Sequence, residues 1–125
     1  MKQSSQTNHA KGVIGEERAM AYLAEQGYDI LRTRYKTKYG EIDLVAQKDN
    51  LVCFVEVKRR PSYQEALESV DYRTRKRIEN SALHFISEYP VFARYDMRFD
   101  VIAITGDKLG NLHLSHLDNA WLAGA

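Results

Sequence analysis

Between Gly40 and Arg60 the chain reads GEIDLVAQKDNLVCFVEVKRR, two alternating apolar runs joined by Asp49-Asn50. Alternation of this kind marks strands, and Asp-Asn tolerates the positive φ of a tight hairpin turn. That turn dictates the pairing. Lys48 faces Leu51, and counting back from it places Asp43 opposite Glu56 and Glu41 opposite Lys58. One face is then expected to carry Ile42, Leu44 and Ala46 with Val57, Val55 and Cys53. The other carries Val45, Val52 and Phe54 near the turn, and all four charges at the far end.

Directly opposed side chains sit about 4.5–5.5 Å apart at Cβ, where like charges repel. Asp43 and Glu56 therefore need a positive group between them. Three arrangements satisfy this. The cluster is a solvated ion-pair group on an open sheet face. Alternatively the two carboxyls share a proton. In the third, they hold Mg2+ or Mn2+, hard cations that take oxygen ligands and commonly bind through one or two carboxylates plus substrate phosphate. Lys58 lies on the same side as Glu56, placed to stabilise charge at phosphorus or to help deprotonate an attacking water. Only the third arrangement uses every charge.

The rest of the chain supplies a frame. Val13, Ala19, Met20, Leu23 and Ala24 recur at helical spacing over residues 12–26, and Gly27 stops the helix. Glu16 falls on that apolar stripe, while Glu17 points elsewhere. A carboxylate in such a stripe either reaches a partner, completing a set with Asp43 and Glu56, or sits near the helix start where the macrodipole favours it. Residues 28–35 read as a strand. Pro61 breaks the ladder, and Ser62 with Glu65 forms a capping box for a short turn over 62–69. A helix follows over 71–88, ended by Pro90. Strands are expected over 99–105 and 111–117, with the tail docking through Trp121. The order predicts one α/β domain with a mixed central sheet and a crossover helix. Residues 1–11 are read as a loose N-terminus, 12–121 as the domain and 122–125 as a tail.

Charge distribution singles out one surface. Across Lys58–Arg77 there are seven basic residues against three acidic, on a chain whose net charge is only +1. Such a local patch binds phosphates without a basic protein overall, although it also fits a solvated helix face. The single cysteine, Cys53, precludes an internal disulfide and fits a reducing compartment. Residues 1–10 lack the apolar core of a secretory signal, and no run approaches a membrane span, so a cytoplasmic location is expected. His113 and His116 alternate on a strand and cannot chelate together, Asp100 is expected to pair with Arg98, and the scattered tyrosines suggest no stacking platform.

The ordered set of a helix glutamate (Glu16), a strand aspartate (Ile42-Asp43) and Glu56-Val57-Lys58 resembles the PD-(D/E)xK, or restriction-endonuclease-like, superfamily. Archaeal Holliday-junction resolvases are similar in the order of these parts. Closer is the YraN-like family of small bacterial proteins, whose features appear as Gly15-Glu16 with Ala19, Tyr22 and Leu23, then Gly27-Tyr28, Gly40-Glu41-Ile42-Asp43-Leu44 and Phe54-Val55-Glu56-Val57-Lys58. Arg98-Phe99-Asp100-Val101 and the aromatic after Asn119-Ala120 continue it. Thr74 stands where related sequences often carry a lysine.

The resemblance implies a restriction-endonuclease-like domain of order αβββαββ and a metal-dependent nuclease acting on DNA, branched or structured DNA included. The catalytic set would be Glu16, Asp43, Glu56 and Lys58, with Mg2+ or Mn2+ on Asp43, Glu56 and Glu16. Arg59, Arg60, Arg73, Lys76 and Arg77 would contact backbone phosphates. Nucleic acid is the expected partner, a membrane is not, and a homodimer is the candidate assembly. The alternative is an inactive nucleic-acid-binding or protein-interaction module on the same fold.

Overall fold

The structure, a computed structural model, describes residues 8–124. Helix α1 (Asn8–Glu25) leads into three antiparallel strands, β1 (Asp29–Thr37), β2 (Gly40–Lys48) and β3 (Leu51–Arg59). Two helices, α2 (Tyr63–Glu68) and α3 (Tyr72–Glu88), and a 3-10 turn at Pro90–Phe92 cross over to β4 (Asp96–Gly106), which pairs parallel to β3. Strand β5 (Leu112–Trp121) returns antiparallel, so the five strands lie in sequence order. This is the expected mixed α/β domain. No helix of the described residues is long and apolar enough to cross a membrane.

Local signals account for the boundaries. Ser62 accepts from the Glu65 N–H at 3.1 Å and donates its hydroxyl to the Glu65 carboxylate at 2.9 Å, opening α2. Asp71 accepts from Thr74 N–H at 2.9 Å and caps α3. The hairpin turn places Asp49 at φ 51, and the ladder runs from Lys48↔Leu51 to Leu44↔Val55 as counted from the sequence. Two expectations shift at α1. The loose N-terminus expected over 1–11 is overturned at its end, because the helix begins at Asn8 and residues 8–11 are helical; residues 1–7 lie outside the described residues. Glu16 is thus in mid-helix, where the macrodipole of the first turn no longer accounts for it.

Both sheet faces are covered. On one, Ala19 and Leu23 of α1 pack over Leu44, Ala46, Cys53, Val55, Ile102 and Ile104. On the other, α2 and α3 bury Val45, Val52, Phe54, Ile78, Phe85, Phe99 and Trp121. Aromatic rings run through this second layer, with Phe85 edge-on to Phe54, Phe54 stacked on Phe99, and Phe99 stacked on Trp121. Trp121 is the last residue of β5, and its indole N–H donates to Glu79 of α3 at 3.0 Å.

Candidate functional site

The site lies where β2 and β3 part. Strict alternation would put Ile42 on the face of Leu44 and Ala46, but Ile42 packs under α3 with Val45 and Phe54. The departure accompanies an irregular β1, whose register with β2 shifts between Ile30 and Arg32 and whose Arg34 is kinked. Pairing of β1 with β2 includes Thr33↔Leu44 and Tyr35↔Ile42 but omits Arg34 and Asp43, and Arg34 adopts φ 49. With that irregularity, residues two apart no longer share a face. The expected ladder pairs Asp43–Glu56 and Glu41–Lys58 are likewise absent, because pairing ends at Leu44↔Val55. In their place the Val57 N–H donates to Asp43 Oδ2 at 2.8 Å.

Asp43 and Glu56 nonetheless meet through their side chains. Burial is the main force on the Asp43 carboxyl, and the neighbouring Glu56 carboxylate adds to it. Together they outweigh the Val57 N–H and Lys58 and push its pKa up to about 8. Glu56 is only 3% exposed. Lys58 Nζ lies 3.4 Å from Glu56 Oε2, and an Arg77 guanidinium nitrogen lies 3.8 Å from the same oxygen. The other oxygen, Oε1, is buried with no hydrogen-bond partner among the described residues. A buried carboxylate oxygen left unmatched is costly and wants a cation.

Two adjoining hollows share Gly12, Asp43 and Val57. One, of about 380 Å3, is lined also by Glu16, Arg34, Lys36 and Glu41. The other, of about 480 Å3, is lined by Lys11, Lys58, Arg59 and Arg60, four cations with Asp43 their one acidic neighbour. The space beside Gly12 is open, since an added Cβ there would meet nothing within 4 Å. Lys11 escapes the sequence reading because the helix was expected to start after it.

Glu16 lines the first hollow but is held by Arg34, whose Nη2 and Nε lie 2.8 and 3.0 Å from its Oε2. Among the described residues no three His, Cys, Asp or Glu side chains are gathered as a metal-holding group. The carboxylates that do meet are Asp43 and Glu56, and that pair with the orphaned Oε1 fits a Mg2+ or Mn2+ ion completed by waters and phosphate.

The expected phosphate-binding residues separate into groups. Arg59 and Arg60 line the basic hollow, and Arg73 is exposed. Lys76 pairs with Glu79 at 3.4 Å and lies over the Tyr72 ring. Arg77 turns inward to Glu56 and crosses Gly40 so closely that a Cβ there would sit 2.2 Å from its Cδ.

A second buried carboxylate lies away from this fork. Asp100 accepts from Arg98 Nε and Nη2 at 2.8 Å each and from the Asn119 N–H at 3.0 Å, and His116 Nε2 lies 2.7 Å away. Burial pushes its pKa up, but the hydrogen bonds from His116, Arg98, Cys53 and Asn119 prevail and hold it well below the usual carboxylate range. The pairing with Arg98 was legible in the sequence. The part played by His116, sixteen residues on, was not.

The profile of the Uncharacterised protein family UPF0102 matches residues 15–104, which include Glu16, Asp43, Glu56 and Lys58. A UPF0102 protein of Azorhizobium caulinodans is 43% identical over 106 residues, covering 85% of this chain and 81% of its own. One from Sulfurihydrogenibium is 39% identical over 113 residues, 89% of this chain and 93% of its own. A third, from Rhodopseudomonas palustris, is 47% identical over 93 residues, 74% of this chain and 72% of its own. The kinked strand pair and its carboxylates thus fall inside the matched segment, and the chain belongs to the UPF0102, or YraN-like, family.

Proposed function

We propose that this protein is a divalent-metal-dependent nuclease of the PD-(D/E)xK type, hydrolysing phosphodiester bonds of DNA. One observation carries the reading: Glu56 Oε1 is buried and unpartnered beside Asp43, while Lys58 stands on the opposite oxygen. The ordered Glu16, Asp43 and Glu56-Val57-Lys58 set, and its likeness to that superfamily, support it.

In this reading Asp43 and Glu56 hold Mg2+ or Mn2+, with the Val57 carbonyl as a further candidate ligand. The bound ion would polarise a phosphoryl oxygen and lower the pKa of a water. The Val57 N–H fixes Asp43 in place before any ligand arrives. Lys58 balances Glu56 and is placed to stabilise charge at phosphorus. Lys11, Arg59 and Arg60 bind backbone phosphates in the basic hollow, with affinity that depends on salt and little on sequence.

The pairing of Glu16 with Arg34, and of Glu56 with both Lys58 and Arg77, favours one other reading. In it, the carboxylates are structural and the domain binds nucleic acid or a protein without turnover.

Purified protein incubated with linear, flapped and four-way-branched DNA, and with RNA, in Mg2+, Mn2+ or EDTA separates the two. Nuclease action is expected only with metal and falls at least about a hundredfold in Asp43→Ala and in Lys58→Ala. Cleavage that survives Asp43→Ala marks a contaminant. Binding without cleavage in any metal supports the inactive module.

A further inference from the structure

Among the carboxylates that border the fork, three are in different states. Asp43 and Glu56 face one another, whereas Glu16 is turned to Arg34. The guanidinium binds through two nitrogens, Nη2 at 2.8 Å and Nε at 3.0 Å from Oε2, and Nε also lies 3.4 Å from Oε1. Arg34 reaches this position with φ 49, a left-handed conformation that a non-glycine residue adopts only where the surroundings impose it. Thr33 and Arg34, consecutive in β1, both line a third hollow, against Val13, Glu16 and Met20 of α1. A regular strand would send neighbours to opposite faces, so the kink brings Arg34 and Glu16 together.

Arg34 also borders the hollow that Asp43, Lys36 and Glu41 line. It is 41% exposed, against 14% for Glu16, so an entering anion meets the arginine before the glutamate. A guanidinium fork fits phosphate as well as it fits carboxylate, and exchanging one for the other conserves its hydrogen bonds.

Resting on the nuclease reading, we propose that Arg34 is a latch on Glu16 that nucleic acid opens. In the free protein the guanidinium occupies Glu16. A backbone phosphate entering the hollow takes the guanidinium, and Glu16 is released to complete the carboxylate set with Asp43 and Glu56. Cation and nucleic acid then bind cooperatively, each strengthening the other by the same factor. The metal site is weak until substrate is seated, which restrains cleavage chemistry in its absence.

The test measures binding rather than cleavage. Calorimetry gives Mn2+ affinity for the protein alone. Fluorescence anisotropy gives affinity for a labelled DNA duplex with hydrolysis-resistant phosphorothioate linkages, in Mn2+ and in EDTA. In the wild type, Mn2+ is expected to tighten duplex binding about fivefold or more. In Arg34→Gln, Mn2+ alone binds about threefold to tenfold tighter than in wild type, and the gain on adding duplex falls toward none. Arg34→Gly, suited to the positive φ, gives the same result should the glutamine variant fold poorly. The tightening disappears when Glu16→Gln is added. Lys36→Gln removes an equal charge from the same hollow without releasing Glu16, and leaves the coupling in place. A Mn2+ affinity in Arg34→Gln no higher than in Lys36→Gln, or unchanged coupling, overturns the latch. Mn2+ binding that requires Asp43 but ignores Arg34 retires the latch alone. Absence of Asp43-dependent Mn2+ binding in every variant retires the nuclease reading and the latch together.

Discussion

Val57 gives its backbone N–H to the carboxylate of Asp43 at 2.8 Å, so a side chain ends the β2–β3 ladder where a main-chain carbonyl would have continued it. The bond locates Asp43 and consumes one of its lone pairs. It does not offset the burial and the Glu56 contact that push the Asp43 pKa up to about 8.

That shift sets a pH dependence. The folded pKa is raised above the unfolded one, so the stabilising contribution is full below about pH 4 and is lost as pH rises to about 8. In EDTA the wild type is expected to melt lower at about pH 9 than at about pH 5 on account of this group. Asp43→Asn, which keeps an acceptor for the Val57 N–H, removes the dependence and gains about 2 kcal/mol at the higher pH. Thermal melts of both proteins across that range check it, and an Asn variant that melts no higher than wild type in alkaline buffer refutes it.

Asp100 behaves in the opposite sense. Its pKa is depressed in the folded state, so its contribution is present above about pH 4 and is lost as pH falls through the acid range. Asp100→Ala strands Arg98 and His116 in a buried site and is expected to cost about 3–5 kcal/mol. Urea denaturation measures the loss. Duplex affinity of the folded fraction should not change, because none of these groups lines the fork.

The basic residues should sort by where they sit. Lys11→Ala, Arg59→Ala and Arg60→Ala each weaken duplex binding and reduce the slope of log affinity against log salt by up to about 1. Arg77→Ala, because Arg77 already serves Glu56, is expected to alter Mn2+ affinity more than that slope. Salt titrations of duplex binding, run beside Mn2+ titrations, distinguish the two patterns.

Gly40 is required for two separable reasons. Its φ of +144 excludes an ordinary side chain, and Arg77 fills the space a Cβ would take. Gly40→Ala is expected to cost about 2–3 kcal/mol. In an Arg77→Ala background the crowding part disappears and the backbone part remains, so the substitution costs less there. Equal costs in the two backgrounds would remove the crowding argument.

The sequence showed the order of elements and the pairing of Leu44–Lys48 with Leu51–Val55, because alternation and a two-residue turn are local signals. It misplaced Ile42, since a kink at Arg34 in the neighbouring strand carries no such signal: arginine has no preference for positive φ. Strand β5 was expected to end at Leu117. It continues past an irregularity, with Asn119 at φ 52, to set Trp121 opposite Phe99. Asp43, Glu56 and Lys58 were found as a group because one hairpin carries them. Arg34, Lys11 and the inward turn of Arg77 depend on contacts between elements distant in sequence, which no spacing rule encodes.

Asp43 and Glu56 share a hairpin with a turn of two residues, while β4, the parallel neighbour of β3, arrives only after the crossover through α2 and α3. Short hairpins close in about 1–10 μs, and pairing across a long connection is slower. The two carboxylates therefore come together while still hydrated, and the docking of α3 and β4 is the step that strips their water. Refolding of the metal-free chain is then expected to slow as pH rises and Asp43 loses its proton. On the proposed nuclease reading, a divalent cation caught at the fork would speed the same step, giving the ion a part in assembly of the domain.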